Sequence, residues 1–345
     1  MGDLQLVRPL RQAVLPYRQF RQLPPFATGM EAWSEEMHPS HHDPCIIIFS
    51  FIGSPATSAT RPVDQDRAKR RHRFRATKGK IIMNDSSVLG SLAAALLSGS
   101  VKVVDITAPL GPETPVLYLP PQFGQNTPNV KVHKISEYDE NGPFWAWNWI
   151  ELGEHTGTHF DAPCHWITGK DNPDNTTDTI KPQNFVAPVN VIDRSKEAEA
   201  DHDYLLTVDS IKEWEAEHGE IEAGSWVVMR TDWYKRNGST ETFLNADENG
   251  PHSPGPTAEA IEYLLSKGII GWGQETVGTD AGSAGGMEPP FPAHNLMHKH
   301  NKYGLASLSN LDQLPAKGAI LIAAPLKIEH GTGSPCRVLA LVARD

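Results

Sequence analysis

Four side chains that can bind a metal lie at odd-numbered positions of one short segment. The segment reads His155-Thr-Gly-Thr-His-Phe-Asp-Ala-Pro-Cys-His165, so the candidate ligands are His155, His159, Asp161 and His165. Two imidazoles and one carboxylate suit zinc, manganese or iron, and water can fill the remaining coordination positions. A single histidine is more often an ordinary surface or core residue, but this combination with a glycine and a proline is specific. The segment therefore predicts an open metal site of the catalytic type.

The backbone of this segment must bend for its side chains to meet one ion. A helix is disfavoured because Gly157 and Pro163 are poor residues for a helix interior. In an extended strand, six residues at ~3.3 Å each would separate His155 from Asp161 by ~20 Å, whereas ligands lie ~2.0–2.2 Å from their metal. Glycine admits the positive φ that a bulge or tight turn requires. We therefore predict a bend at Gly157.

Composition limits the classes of partner. The formal charge of −11 argues against a nucleic-acid surface, and no apolar run approaches the ~20 residues that a membrane-spanning helix needs. The cysteines Cys45, Cys164 and Cys336 are too few and too widely spaced for a disulfide framework. We expect a soluble cytoplasmic protein that contacts neither nucleic acid nor membrane, with small molecules or proteins as its partners.

The chain divides into two unlike parts near Met83. Residues 1–82 carry thirteen Lys and Arg against seven Asp and Glu, although the whole chain is acidic. This basic part lacks sustained apolar periodicity, which favours a disordered arm or sequence translated upstream of a start at Met83 over a transit-like peptide. We expect residues 83–345 to form the folded domain.

The folded part alternates short strands with a few helices. Ser86 or Ser87 can cap a helix that ends at Gly99, and two further helices are predicted at Ser210–His218 and Thr257–Lys267. In the last of these, Ile261, Leu264 and Leu265 face inward. Strands are predicted at Val101–Ile106, Val130–Ile135, Val189–Ile192, Trp226–Arg230, Ile269–Gly273, Ala319–Ala323 and Arg337–Val342. The pattern indicates a mixed α/β (α+β) domain.

Three tryptophans alternate shortly before the candidate site. Trp145, Trp147 and Trp149 fall on one face if their run is a strand. Two interpretations stay open: an aromatic wall of a substrate pocket beside the metal, or ordinary core packing between layers. Cys164 is interpreted as a buried small residue rather than a nucleophile, because a metal site already supplies one.

The string H-x-G-T-H-x-D-x-P-x-H resembles the signature of the cyclase family, which includes bacterial kynurenine formamidases and isatin hydrolases. The resemblance covers residues 83–345 and implies a swivelling β/β/α domain with a mixed β core and flanking helices. It also implies that His155, His159 and Asp161 bind the metal and that His165 acts as acid and base. A homodimer or larger homo-oligomer is implied too, in which a second subunit can wall the pocket.

Two later segments resemble family motifs loosely. Thr231-Asp-Trp233 is similar to T-G-W, and residues 273–280 are similar to G-x-D-x-x-S-x-D, with Glu275 where the family has Asp. In two-metal members, a histidine and a glutamate twelve residues later complete a second site. His294 matches that histidine and is a further candidate ligand, but position 306 is Ala306. We therefore expect one divalent ion, Mn or Zn. We also expect His298 and His300 to line the pocket or its entrance.

A divalent ion with three protein ligands can lower the pKa of bound water from 15.7 toward ~7, which would supply hydroxide at neutral pH. His165 could then carry a proton to the departing nitrogen. The resemblance implies hydrolysis of a small cyclic or formyl arylamide, and isatin is favoured over N-formylkynurenine. A protein of the same fold that binds a metal or small ligand without catalysis is the alternative.

Overall fold

The structure is a computed structural model that describes residues 87–119, 126–140, 142 and 144–344. The predictions for residues 1–82 and for a start at Met83 therefore fall outside the described residues. Six α-helices occur in the described part: α1 Val88–Ser98, α2 Ser195–Ala200, α3 Val208–His218, α4 Thr240–Leu244, α5 Ala258–Ser266 and α6 Pro292–Lys299. None of these helices is long and apolar enough to cross a membrane.

Fifteen short strands occur in the same part of the chain. They are β1 Val101–Asp105, β2 Lys131–Ser136, β3 Trp147–Glu151, β4 His159–Asp161, β5 Val186–Asp193, β6 Leu205–Leu206, β7 Trp226–Arg230, β8 Ala246–Asp247, β9 Gly250–Pro251, β10 Gly255–Pro256, β11 Gly271–Gln274, β12 Tyr303–Ala306, β13 Ala319–Ile322, β14 Gly333–Pro335 and β15 Leu339–Ala343. All seven predicted strands are present, with ends that differ by three residues at most.

The three predicted helices are confirmed, and their caps explain where they begin. The Ser87 hydroxyl accepts a hydrogen bond from the backbone N–H of Gly90, and Gly99 ends α1 in the left-handed region. α3 begins two residues earlier than predicted because the Thr207 hydroxyl caps it. Thr257 caps α5 as predicted, but Leu265 is only half-buried, whereas Ile261 and Leu264 are fully buried.

Nine strands form one mixed sheet in the order β1-β15-β13-β5-β7-β11-β12-β4-β14. The central strands β5, β7, β11 and β12 run parallel, and the strands on either side pair antiparallel. The predicted mixed β core with flanking helices is confirmed. Strands β2 and β3 stand apart, since they pair only with each other as a two-stranded sheet.

The sheet is buried on both faces, as β7 illustrates. Trp226 and Val228 point into one hydrophobic cluster, while Val227 and Met229 point into the other. The second cluster lies under α3, α5 and α6. Near one edge of this sheet, β4 lies between β12 and β14, where Asp161 is opposite Gly304 on one side and Gly333 on the other. This short strand carries two of the candidate ligands.

Candidate metal centre

The predicted bend at Gly157 is confirmed. Gly157 has φ +61°, and a Cβ at this position would lie 3.1 Å from Leu110 Cδ1 and 3.3 Å from Thr114 Cγ2. The turn folds the preceding loop back onto β4. His155 Nδ1 therefore lies 2.8 Å from Asp161 Oδ1, although six residues separate them.

Gly157→Ala should destabilise the fold and weaken the metal site. A left-handed backbone costs about 1–2 kcal/mol for a residue with a Cβ, and the added methyl would also press on Leu110 and Thr114. Gly224→Ala is a matched control, because Gly224 has φ +79° and open space around it. Denaturant unfolding should show a lower free energy of unfolding for both variants. Only Gly157→Ala should also bind Mn²⁺ more weakly in a titration. Unchanged Mn²⁺ affinity of Gly157→Ala would contradict the role of the bend.

The ligand atoms of His155, His159 and Asp161 all lie within 4.8 Å of one another. His159 Nδ1 donates to the Gly157 carbonyl at 2.7 Å, which leaves Nε2 as the unprotonated nitrogen 3.3 Å from Asp161 Oδ1. Asp161 is fully buried, and its Oδ2 has no hydrogen-bond partner among the described residues. A buried carboxylate oxygen without a partner is costly unless a cation satisfies it. This donor set therefore fits a divalent ion.

Electrostatics keep the Asp161 carboxyl ionised. Burial by itself would raise the pKa of Asp161, but the imidazoles of His159 and His155 beside the carboxylate outweigh it and hold this pKa well below its usual range. An ionised carboxylate is the form that binds a metal.

His165 lies beside the three candidate ligands. It ends the 3₁₀ turn Pro163–His165, which directly follows β4, and its ring stacks on the His155 ring at 3.7 Å between centroids. The pKa of His165 is lowered to about 2, chiefly by burial; the charge of Asp161 opposes this shift, and those of His155 and His294 add to it. Burial therefore favours the neutral form of this imidazole.

Helix α6 places two more histidines against His165. His294 Nδ1 lies 2.5 Å from Asp280 Oδ2, and its Nε2 lies 3.9 Å from Asp161 Oδ2. His298 is buried and its Nδ1 donates to the Lys302 carbonyl at 3.1 Å, which leaves Nε2 without a partner among the described residues. Burial lowers the pKa of His298, to about 4, whereas Asp280 raises the pKa of His294 in spite of its burial. His300, at the end of α6, is exposed.

The tryptophans of the β2–β3 pair are not core residues. Trp145, Trp147 and Trp149 are 49%, 56% and 50% exposed, so the core interpretation is wrong for the single chain. The aromatic side chains beside the histidines are instead Trp166, whose ring centroid lies 4.8 Å from that of His294, and Phe291, which lies 5.6 Å from Trp166. No spacing pattern pointed to Phe291, which is 125 residues from Trp166 in sequence.

Cys164 has the surroundings of a packing residue. It is half-buried, its Sγ lies 3.7 Å from the Gly331 carbonyl oxygen, and it packs against the hydrophobic cluster that contains Phe160. Burial raises the pKa of its thiol, which disfavours the nucleophilic thiolate. The geometry thus agrees with the predicted small buried residue.

Ala306 borders the candidate ligands directly. In the pairing of β12 with β4, Ala306 lies opposite His159, and it is fully buried. The residue that departs from the two-metal pattern therefore lies beside a candidate ligand.

Glu275 supports the turn after β7. Its Oε2 accepts hydrogen bonds from the backbone N–H groups of Thr231 and Trp233, at 2.8 and 3.1 Å, across the left-handed residue Asp232. Glu275 is fully buried, and its Oε1 has no partner in the described part of the chain. Burial raises the pKa of Glu275 to about 7, against the opposing effect of these hydrogen bonds.

This raised pKa predicts a loss of stability with rising pH. Between about pH 4.5 and 7 the unfolded chain releases the Glu275 proton while the folded chain keeps it, so the free energy of unfolding falls across this window and levels off above it. Glu275→Gln should remove about 2–3 kcal/mol of that fall. Denaturant unfolding at several pH values measures it, with the exposed Glu259→Gln as control. If the free energy of unfolding of Glu275→Gln fell with pH as steeply as that of the unmodified chain, Glu275 would not be the cause of the fall.

Comparisons with known proteins connect the chain to one family. A family model described as "Putative cyclase" matches residues 104–281. Isatin hydrolase of Roseibium aggregatum is 71% identical over 262 residues, which cover 76% of this chain and 100% of that protein. Kynurenine formamidase of Bacillus cereus is 30% identical over 193 residues, covering 55% of this chain and 77% of its own length. A crystal structure of an isatin hydrolase bound to the product analogue thioisatinate superposes with a TM-score of 0.73 at 71% identity, covering 74% of this chain and 98% of that chain.

Proposed function

The chain belongs to the cyclase family of metal-dependent hydrolases, which act on carbon–nitrogen bonds other than peptide bonds, and we propose that it opens the cyclic arylamide isatin. One observation carries the proposal: the ring of His165 is stacked on that of the candidate ligand His155, in a chain that is 71% identical to an isatin hydrolase. A site that only stored a metal would have no use for a proton acceptor there. N-formylkynurenine, a formyl arylamide, is the second substrate to test.

We propose His155 Nδ1, His159 Nε2 and Asp161 as the ligands. When bound, a divalent ion would lower the pKa of a bound water and polarise the substrate carbonyl. Ring opening adds the oxygen of water to the carbonyl carbon, breaks the C–N bond and transfers one proton to the departing nitrogen. His165 is the proposed carrier of that proton, because its ring lies directly against the candidate ligand His155. Trp166 and Phe291 offer apolar surface for an aromatic ring beside it.

We propose a single ion, manganese or zinc. Three protein donors, two nitrogens and one oxygen, suit either metal and leave coordination positions for water and substrate. Two features support one ion rather than two. Ala306 offers no ligand opposite His159, and the Nδ1 atom of His294 is already engaged by Asp280.

The test of substrate is direct. Purified protein loaded with Mn²⁺ or Zn²⁺ is assayed against isatin and against N-formylkynurenine, with ring opening or deformylation followed by absorbance. We expect turnover of isatin to exceed that of N-formylkynurenine. The reverse order would favour the formamidase assignment, and turnover of neither substrate would overturn both.

We also propose a homodimer, with a second copy of this chain packed on the β2–β3 pair. Large apolar side chains lie on this pair at roughly half exposure, among them Val132, Trp147, Trp149 and Ile150. Such patches in soluble proteins mark interaction sites. Because Glu151 ends β3 only four residues before His155, a partner seated here would border the metal site and bring Trp147 and Trp149 to a substrate pocket. Sedimentation should show a dimer at micromolar concentration, and a monomer would contradict it.

A reducing compartment, the cytoplasm, is the proposed location. Cys164 and Cys336 are both free, and burial raises the pKa of the Cys336 thiol to about 12. Neither thiol is set up for disulfide exchange. Cell fractionation with a tagged full-length chain tests this location.

A further inference from the structure

Thr332, outside the ligand segment, contacts the edge of His155 that faces away from Asp161, and Glu154 contacts Thr332 in turn. Thr332 Oγ1 lies 3.0 Å from His155 Nε2, and the Thr332 hydroxyl donates to Glu154 Oε2 at 2.5 Å. The backbone N–H of Thr332 donates to the same carboxylate oxygen at 3.2 Å. Glu154, Thr332 and His155 therefore form one continuous chain of hydrogen bonds, which ends at the His155 ring beside Asp161.

The direction of each hydrogen bond follows from the number of protons available. A carboxylate can only accept, so the single hydroxyl proton of Thr332 goes to Glu154. Thr332 Oγ1 must then accept from His155, which requires the proton of a neutral His155 to be on Nε2. This arrangement leaves the lone pair of Nδ1 facing Asp161 Oδ1 at 2.8 Å. The hydrogen-bond chain thus selects the form of His155 that can bind a metal through Nδ1.

The backbone around Thr332 holds this contact in place. The Thr332 carbonyl accepts from the Ala162 N–H at 2.9 Å, and Gly333 begins β14, which pairs with β4 opposite Asp161. A Cβ on Gly333 would lie only 2.4 Å from His155 Cε1, so glycine is needed for the imidazole to lie this close to the strand. The same strand therefore positions both the imidazole and its hydroxyl partner.

We propose that Thr332 and Glu154 are positioning residues for the metal ligand His155, which fix its tautomer and ring orientation. This inference rests on the proposed function, because it assigns His155 as a ligand. Partners of this kind change metal affinity by about 10–100-fold when they are removed. The sequence gives no sign of this contact, because Thr332 lies 177 residues from His155.

The experiment compares Thr332→Val, Thr332→Ser and Glu154→Gln with the unmodified chain. Valine keeps the shape of threonine but removes the hydroxyl, whereas serine keeps the hydroxyl. Metal-free protein is titrated with Mn²⁺ and the free ion is followed by electron paramagnetic resonance, while thermal unfolding of the metal-free proteins reports on the fold. We expect Mn²⁺ affinity to fall about 10–100-fold in Thr332→Val, to stay near the original in Thr332→Ser and to fall less in Glu154→Gln, whose amide oxygen can still accept from Thr332 but carries no charge.

The outcomes separate this inference from the proposed function. If the unmodified chain binds no Mn²⁺ or Zn²⁺, the proposed function fails. If it binds the ion and Thr332→Val binds equally well, the positioning role is wrong. Equal losses of affinity in Thr332→Val and Thr332→Ser would also overturn it, because serine retains the hydroxyl. Rescue by serine, with unchanged melting temperatures of the metal-free variants, would support the hydrogen bond itself.

Discussion

Asp161→Asn is expected to abolish tight metal binding and, with it, turnover. The carboxylate is fully buried, lies against both candidate histidine ligands and has one oxygen without a partner in the described part of the chain. The amide keeps the shape but loses the negative charge that a divalent ion requires. The loss of activity should exceed the roughly 10–100-fold that follows removal of an outer partner of a metal ligand. Metal content after dialysis and the rate of isatin opening measure both effects.

A matched control for this change is Asp312→Asn. Asp312 lies in a 3₁₀ turn and accepts a hydrogen bond from Tyr234 at 3.3 Å, away from the histidine cluster. The Asp312→Asn variant should keep both its bound metal and its activity. If Asp161→Asn retained one tightly bound ion and normal turnover, Asp161 would not be a ligand.

His165→Ala is expected to keep the ion and lose turnover. No hydrogen bond joins the His165 ring to another described residue, and its main contact is the stack on His155, so its removal leaves the three candidate ligands in place. Loss of a proton carrier costs about 10²–10⁴-fold in rate. Metal content and the steady-state rate should therefore separate in this variant, unlike in Asp161→Asn.

His218→Ala is the control for the loss of an imidazole. His218 ends α3, where its ring packs on Trp214. Its removal should leave turnover unchanged. Full activity in His165→Ala would remove the proposed role of His165, and loss of the metal in that variant would make His165 a ligand instead.

The local part of the site could be predicted because its constraints lie within a few residues. Side chains six residues apart cannot share an ion on a straight strand, and Gly157 was the residue able to bend the chain. The same reasoning located the ends of α1 and α5, where Ser87 and Thr257 act as caps. Such features depend on neighbours in sequence, which the sequence itself displays.

The remainder depends on contacts between distant segments. Thr332 reaches His155 only because β14 pairs with β4, and no pattern in the sequence indicates that pairing. The tryptophans before the site show the opposite failure. Trp147 and Trp149 do lie in a strand, but whether that strand enters the core depends on which sheet it joins, and β3 joins only β2. Alternation alone therefore did not decide whether these side chains are buried.

The most direct test of a one-metal isatin hydrolase is a titration of activity with metal. Chelator-treated protein is supplied with increasing Mn²⁺, and the rate of isatin ring opening is recorded at each ratio of metal to chain. We expect no turnover without metal and a rate that rises to a plateau at one ion per chain. Turnover that survives chelation, a plateau at two ions, or no ring opening at any loading would contradict it.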